Sequence, residues 1–266
     1  MQTITSNQNP IIKEVKSLKI RKNREEKELY FIEGIRFVQE ALDNSVDIEK
    51  ILISDRLYEN KGGEEIRERI RSGNFDIYHM TDKLFQEVSD TESPQGILAV
   101  VRSRRLQLEE VIKKGSFFLV LDSLQDPGNM GTVIRTADAS AVDGIIISRG
   151  CVDLYNPKVL RATMGSVFHV PVCYCDNLIE AIDILKNKGI RVLAAHLKGE
   201  SYYFNTDMRE NICVIIGNEA NGISEEVAQK ADMLVKIPMP GKSESLNASV
   251  AASLLMYEVV RQRMRE

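Results

Sequence analysis

Three stretches of this sequence set small polar or charged side chains beside glycine, where a ligand can come close to the backbone. In DSLQDPGNMGTVIRTA, residues 122–137, Asn129 precedes Gly131 by two positions and Arg135 by six. In IIGNEANGIS, residues 215–224, Gly217 follows an apolar run, and Glu219 and Asn221 sit in a turn closed by Gly222. In IPMPGKSESLNASVAASLLMY, residues 237–257, Ser243, Ser245, Asn247 and Ser249 stand where a loop becomes a helix of small and apolar residues. Hydroxyls and amides at such a junction either cap free backbone N–H groups or hold a ligand against them. Arg135, flanked by Ile134, Thr136 and Ala137, is expected to be partly buried, and a buried guanidinium needs an anionic or hydroxyl-bearing partner. Each stretch alone also fits a plainer reading, a capped helix with a single ion pair.

Other chemistries lack their residues. GNEANGIS has neither the lysine nor the spacing of a phosphate loop, and no GxG follows the strand expected to end near Leu121, where a dinucleotide fingerprint belongs. Cys151, Cys173, Cys175 and Cys213 are too few for a disulfide framework in a chain of 266 residues. The three histidines, His79, His169 and His196, do not combine with them at metal-ligand spacing, so no metal is expected.

The elements that must position these residues alternate. Asn9-Pro10 opens a helix expected from Ile11 to about Lys27. Strands are expected at Leu29–Ile32, Ile48–Ile53, Asp76–Met80 and Gly96–Val101, with helices at Gly34–Leu42, Glu64–Arg71 and from Thr81 to Val88. RSRRLQLEEVIKKG, residues 102–115, carries three arginines and then reads as a helix, and we set the domain boundary there, giving domains 1–105 and 106–266. Beyond it, strands at Phe117–Asp122, Gly144–Ser148, Val170–Tyr174, Arg191–His196, Ile212–Ile216 and Met233–Ile237 alternate with helices at Asn129–Ala141, Asn156–Phe168, Leu178–Lys188, Glu225–Ala231 and Leu246–Arg265. Apolar runs such as LVL, IIIS and VIIG indicate an α/β fold with a largely parallel sheet covered on both faces. In such sheets ligands sit beyond the carboxyl ends of the strands, where all three polar stretches fall.

With 43% hydrophobic residues and a net charge of −4, the chain reads as a soluble globular protein rather than a polycation. Neither half is basic, so contacts with a nucleic acid must be clustered. The densest positive run is Lys13, Lys16, Lys19, Arg21, Lys22, Arg24 and Lys27 in the first helix, either a solvated face or a phosphate contact. MQTITSNQNP lacks the basic start and apolar run of a signal peptide, and no segment approaches a membrane span, so a cytoplasmic protein without membrane contact is expected.

Taken together, the three stretches resemble the ordered motifs of the SpoU/TrmH RNA ribose methyltransferases of the SPOUT superfamily: NxGxxxRTA from Asn129 to Ala137, then IIGNEANGIS, then IPMPGKSESLNASVAA. SNQNPIIKEVKSL, EGIRFVQEAL and SPQGILAV are similar to that family's N-terminal substrate-binding domain, which has a ribosomal-protein-like RNA-binding fold. The sequence departs at Ala220, where the family more often has glycine, while Gly217, Glu219 and Gly222 are kept. The resemblance implies a C-terminal α/β trefoil-knot domain with a mostly parallel sheet, preceded by a smaller α/β RNA-binding domain. It implies a homodimer formed through the C-terminal domain, and methyl transfer from S-adenosylmethionine to a ribose 2′-hydroxyl without a metal. The expected target is 23S ribosomal RNA, with a guanosine favoured. The alternatives are a transfer RNA methyltransferase and a catalytically silent RNA-binding or ribosome-assembly factor of the same fold. A nucleotide hydrolase would need a phosphate loop or paired metal carboxylates, and has neither.

By the same resemblance, Gly217, Ile237 and Leu246 contact the cofactor mainly through backbone groups. Asn129, Arg135, Glu219, Ser245 and Asn247 occupy catalytic and substrate-positioning places, and Lys13, Lys16, Lys19, Arg21, Arg102, Arg104 and Arg105 hold the RNA backbone. The family's proposed base is the arginine at Arg135. A guanidinium stays protonated at ordinary pH, so the alternative is that it stabilises the developing alkoxide or grips a phosphate.

Overall fold

Apolar strand runs separated by amphipathic helices give two sheets in the computed structural model, which describes residues 2–264. The chain packs as two units. One holds the residues up to Arg104 together with Tyr155–Phe168, and the other holds Arg105–Leu154 and the residues from His169 onward.

The first unit runs β1 (Gln2–Ile4), α1 (Pro10–Ser17), α2 (Arg21–Lys27), β2 (Leu29–Glu33), α3 (Ile35–Asp43), β3 (Ile48–Ile53), α4 (Gly63–Ser72), β4 (Asp76–Met80), α5 (Asp82–Val88) and β5 (Ile97–Arg102). Its sheet has the order β1-β4-β3-β5-β2, parallel from β1 to β3 and antiparallel on both sides of β5. The expected single helix from Ile11 to Lys27 is broken. Arg24, buried, donates from Nη1 to the carbonyl of Leu18 at 2.7 Å, and the Asn23 amide donates to the carbonyl of Ser17 at 2.9 Å. Side chains thus take carbonyls that a continuing helix would have used, and α1 stops.

The second unit begins with α6 (Leu108–Val111), all that forms of the helix expected after Arg105. There the Gln107 backbone N–H donates to Glu110 at 2.8 Å in a capping box. Then come β6 (Phe117–Leu121), α7 (Pro127–Ala139) and β7 (Gly144–Ser148). The next helix, α8 (Pro157–Thr163), packs with the first unit, and its expected extension to Phe168 ends at Met164, which has left-handed backbone (φ 53°). The Tyr155 ring stacks on Tyr30 at 4.3 Å, and Leu160 joins the core beside Phe37 and Val38. The second unit resumes with β8 (Val172–Cys175), α9 (Leu178–Asn187), β9 (Arg191–Ala195), β10 (Ser201–Tyr202), β11 (Ile212–Ile216), α10 (Glu225–Lys230), β12 (Met233–Lys236) and α11 (Ala248–Arg263). The end of the last expected helix, Arg265, lies outside the described residues.

This second sheet is parallel throughout, in the order β10-β12-β9-β11-β6-β7-β8. Every residue of β6, β7 and β11 is buried, as strands covered on both faces must be. Each Leu or Ile so removed from water contributes roughly 1.5–3 kcal/mol. β12 lies between β9 and β10, although β11 intervenes in sequence. No helix among the described residues is long and apolar enough to cross a membrane.

Candidate active site

The three polar stretches meet at one end of the parallel sheet. α7 starts two residues earlier than the sequence suggests, because Pro127 fits the first turn and the Asp126 carboxylate caps it, accepting from the Asn129 N–H at 2.8 Å. This buries Asn129 in the first turn of α7. Its Nδ2 donates to Glu219 Oε1 at 3.0 Å, and its Oδ1 accepts from Asn247 Nδ2 at 2.8 Å. Glu219 also accepts from the backbone N–H groups of Gln125 and Asp126, at 3.1 and 2.9 Å. Asn247 is the cap of α11, its Oδ1 accepting from Ser249 N at 2.9 Å and Ser249 Oγ at 2.7 Å. One amide therefore caps a helix, as the sequence allowed, and also joins a polar network.

The network has a fixed direction. A carboxylate only accepts, so Asn129 presents Nδ2 to Glu219 and Oδ1 to Asn247, which leaves Asn247 Oδ1 for the helix. Burial pushes the Glu219 carboxyl up, but the hydrogen bonds from Asn129, Asp126 and Gln125 together outweigh it and hold the group below its ordinary value.

Beside the network is a cavity of about 410 Å³ at the carboxyl ends of β9, β11 and β12, within the size range of small-molecule sites. Gly217, Ile237 and Leu246 all line it, as do Glu219 and Ser245. Asn129, Arg135 and Asn247 do not belong to its lining. Gly217 is required by a close approach. The loop folds back through paired Asn218–Gly222 hydrogen bonds of 2.9 and 3.0 Å, and a Cβ at 217 would lie 2.2 Å from the Gly222 carbonyl carbon. Apolar walls at Ile237, Leu197 and Leu246, with bare backbone at Gly217, suit a nucleoside-sized ligand held by main-chain groups.

Arg135 departs from expectation. It is exposed, because with Gly128, Thr132 and Ala139 it forms the outward stripe of α7, and it makes no hydrogen bond or ion pair among the described residues. Six residues past Asn129, it stands about 9 Å further along the helix axis. The next groove along the surface, of about 320 Å³, is lined by Thr132, Ser249, Val250, Ser253, Leu254 and Tyr257.

The basic residues of the first unit are mostly engaged. Lys16 pairs with Glu87 at 3.2 Å, Arg21 with Glu25 at 2.7 Å, and Arg102 with Asp47 and Glu49 at 3.4 and 3.0 Å. Lys19 donates to the Ser89 carbonyl at 2.7 Å. Lys13 and Arg104 are exposed, as is Arg105 at the start of the second unit. Pairs this exposed are worth at most about 1 kcal/mol and can be exchanged for phosphate.

Sequence reasoning missed three parts of the site. Asp122, buried at the end of β6, accepts from Ser224 N at 3.0 Å and Ser123 Oγ at 3.1 Å. Asn218 accepts from Ala220 N and Asn221 N at 2.9 and 3.0 Å and donates to the Ser123 carbonyl at 2.8 Å. An Asn entering a tight turn was the available signal for this. The loop His196–Lys198 walls the cavity because β9 lies between β11 and β12, and no local signal shows strand order.

The model of the SpoU rRNA Methylase family matches residues 116–257, and that of the MRM3-like substrate binding domain matches residues 9–99. The chain is 34% identical over 259 residues to the Bacillus subtilis 23S rRNA (guanosine(2553)-2'-O)-methyltransferase RlmP, covering 97% of this chain and 99% of that one. Among solved structures it resembles an AdoMet-bound rRNA methyltransferase from Sinorhizobium meliloti, at 29% identity and TM-score 0.87, covering 98% and 97% of the two chains. It also resembles the SpoU methyltransferase AviRb of Streptomyces viridochromogenes in complex with AdoMet, at 27% identity and TM-score 0.88, covering 97% and 99%. With both segments matched and the three motif loops joined by one hydrogen-bond network beside the cavity, this chain belongs to the SpoU rRNA methylase family.

Proposed function

We propose that the chain transfers a methyl group from S-adenosylmethionine to a ribose 2′-hydroxyl of 23S ribosomal RNA, with a guanosine as the target. The observation that carries this is the Glu219–Asn129–Asn247 network, which locks three loops together beside a cavity walled by Gly217, Ile237 and Leu246. When bound there, the cofactor supplies a sulfonium methyl, already an activated donor. The chain's own residues have the harder tasks, orienting a poor nucleophile in line and stabilising the charge it develops as its proton passes to solvent. Glu219 and Asn129 hold the motif loops in register, Ser245 faces the cavity from the third loop, and Asn247 fixes the start of α11. The Arg135 guanidinium faces the developing alkoxide or an adjacent phosphate.

The same reading includes a homodimer through the second unit. Val250, Leu254 and Tyr257 stand exposed along one stripe of α11, beside the outward stripe of α7 that carries Arg135. Covering this apolar face with a second copy would desolvate Arg135 and strengthen its action on substrate charge. A trefoil knot in the 212–263 stretch is supported by β12 inserting between β9 and β10 after β11 is laid down. We assign RNA holding to residues 1–105, through Lys13, Lys16, Lys19, Arg21, Arg102, Arg104 and Arg105, methyl transfer to residues 106–266, and the cytoplasm as the site of action.

The test is incubation with labelled S-adenosylmethionine and RNA fractions from cells lacking the protein. Label is expected in 23S RNA. Label in transfer RNA alone supports the other substrate class, and no label in any fraction rejects enzymatic activity in favour of a silent binding factor.

A further inference from the structure

The edge strand β10 ends at Tyr202, which is paired with Lys236, the last residue of β12. Both strands run toward the carboxyl end of the sheet, where the cavity lies, and Ile237, the residue after Lys236, lines that cavity. Beyond Tyr202 the chain makes one tight helical turn, Tyr203–Asn205. The Tyr202 and Phe204 rings stack with centroids 5.4 Å apart and planes 11° from parallel, and Tyr203 braces Phe204 edge-on at 5.2 Å. Both stacked rings are large and exposed, Tyr202 at 40% and Phe204 at 44%. Lys236 Nζ sits over the Tyr202 ring, 5.1 Å from its centroid. The turn is anchored from behind, since Thr206 Oγ1 donates to the Tyr202 carbonyl at 3.2 Å and Gln262 donates to the Thr206 carbonyl at 2.9 Å.

We propose that Tyr202, Phe204 and Lys236 form a stacking platform for an unpaired RNA base flanking the methylated nucleotide, a proposal that rests on the methyltransferase reading above. Stacked rings on an anchored turn lose little freedom when a base is added, and every base has a face to offer them. Lys236 adds a cation suited to the phosphate of the same nucleotide, while the neighbouring Arg209 and Asp207 neutralise each other in a 2.7 Å pair. β10 pairs directly with β12 at a strand spacing of about 4.8 Å, and β12 leads through Ile237 into the cavity wall. RNA recognition of this kind works on splayed single-stranded nucleotides.

The experiment compares the full-length protein with a Tyr202→Leu/Phe204→Leu double variant, which keeps apolar bulk without rings, and a Tyr202→Phe/Phe204→Tyr exchange, which keeps both rings. Binding of a short unstructured oligoadenylate and the KM for ribosomal RNA should weaken roughly tenfold in the leucine variant, with kcat and cofactor affinity held and the exchange variant normal. Unchanged oligoadenylate binding overturns the proposal. So does a change in oligomeric state of the leucine variant by sedimentation, which would make the patch a contact between copies. Oligoadenylate binding is read without methyl transfer, so a wild type that methylates nothing rejects the enzymatic reading and leaves this outcome to be scored separately.

Discussion

At the scale of single residues, the site depends on the direction of its hydrogen bonds more than on their number. Asn129 works because an amide can donate at one end and accept at the other, between an acceptor-only carboxylate and the Asn247 amide. Asn129→Asp keeps the shape and sets a second carboxylate against Glu219. Leaving the buried side chain at 129 mispaired costs about 1–3 kcal/mol, so we expect lower melting temperature and lost turnover, measured by calorimetry and transfer assay. Glu219 gives a pH signature. Its folded pKa is depressed, so its contribution is present above the unfolded value of 4.5 and is lost as pH falls through the lower folded value. Acid titration of wild type should show a loss of stability below pH 4.5 that Glu219→Gln lacks, and identical acid profiles would remove this role.

At the scale of elements, much was legible because the signals were local. Strands β3, β4, β7 and β11 were read to the residue from their apolar runs, and Asn9 and Thr81 cap helices as their types suggested. The break between α1 and α2 was not legible, since it depends on where the Asn23 and Arg24 side chains fold back. The exposure of Arg135 was misread because its apolar neighbours in sequence lie on the other face of α7. The loop after β9 was missed because wall-building depends on strand order. Gly217, by contrast, has a local test. Gly217→Ala puts a methyl 2.2 Å from the backbone of Gly222, and the loop must open to accept it. Cofactor affinity by calorimetry should fall at least roughly tenfold, about 1.4 kcal/mol, with helix content unchanged. An alanine variant with normal affinity would show that this wall does not hold the ligand.

At the scale of the whole molecule, the chain passes between its two units three times, because Tyr155–Phe168 leaves the second unit to pack with the first. A cut at residue 105 would strip the first unit of α8 and of the Tyr155 ring stacked on Tyr30. Stability and assembly are therefore to be measured on the full chain. There the apolar stripe of α11 makes its own prediction: Leu254→Glu together with Tyr257→Glu should turn a dimer into a monomer by sedimentation and abolish transfer, and a wild type that is already monomeric would contradict it. The central claim is that this site methylates RNA through Arg135. Its most direct test maps 2′-O-methyl groups in 23S RNA after incubation with wild type or Arg135→Ala. The account predicts one wild-type position, with the variant slower by about two orders of magnitude or more at unchanged cofactor affinity. An Arg135→Ala protein that modifies the same nucleotide at the wild-type rate would contradict it.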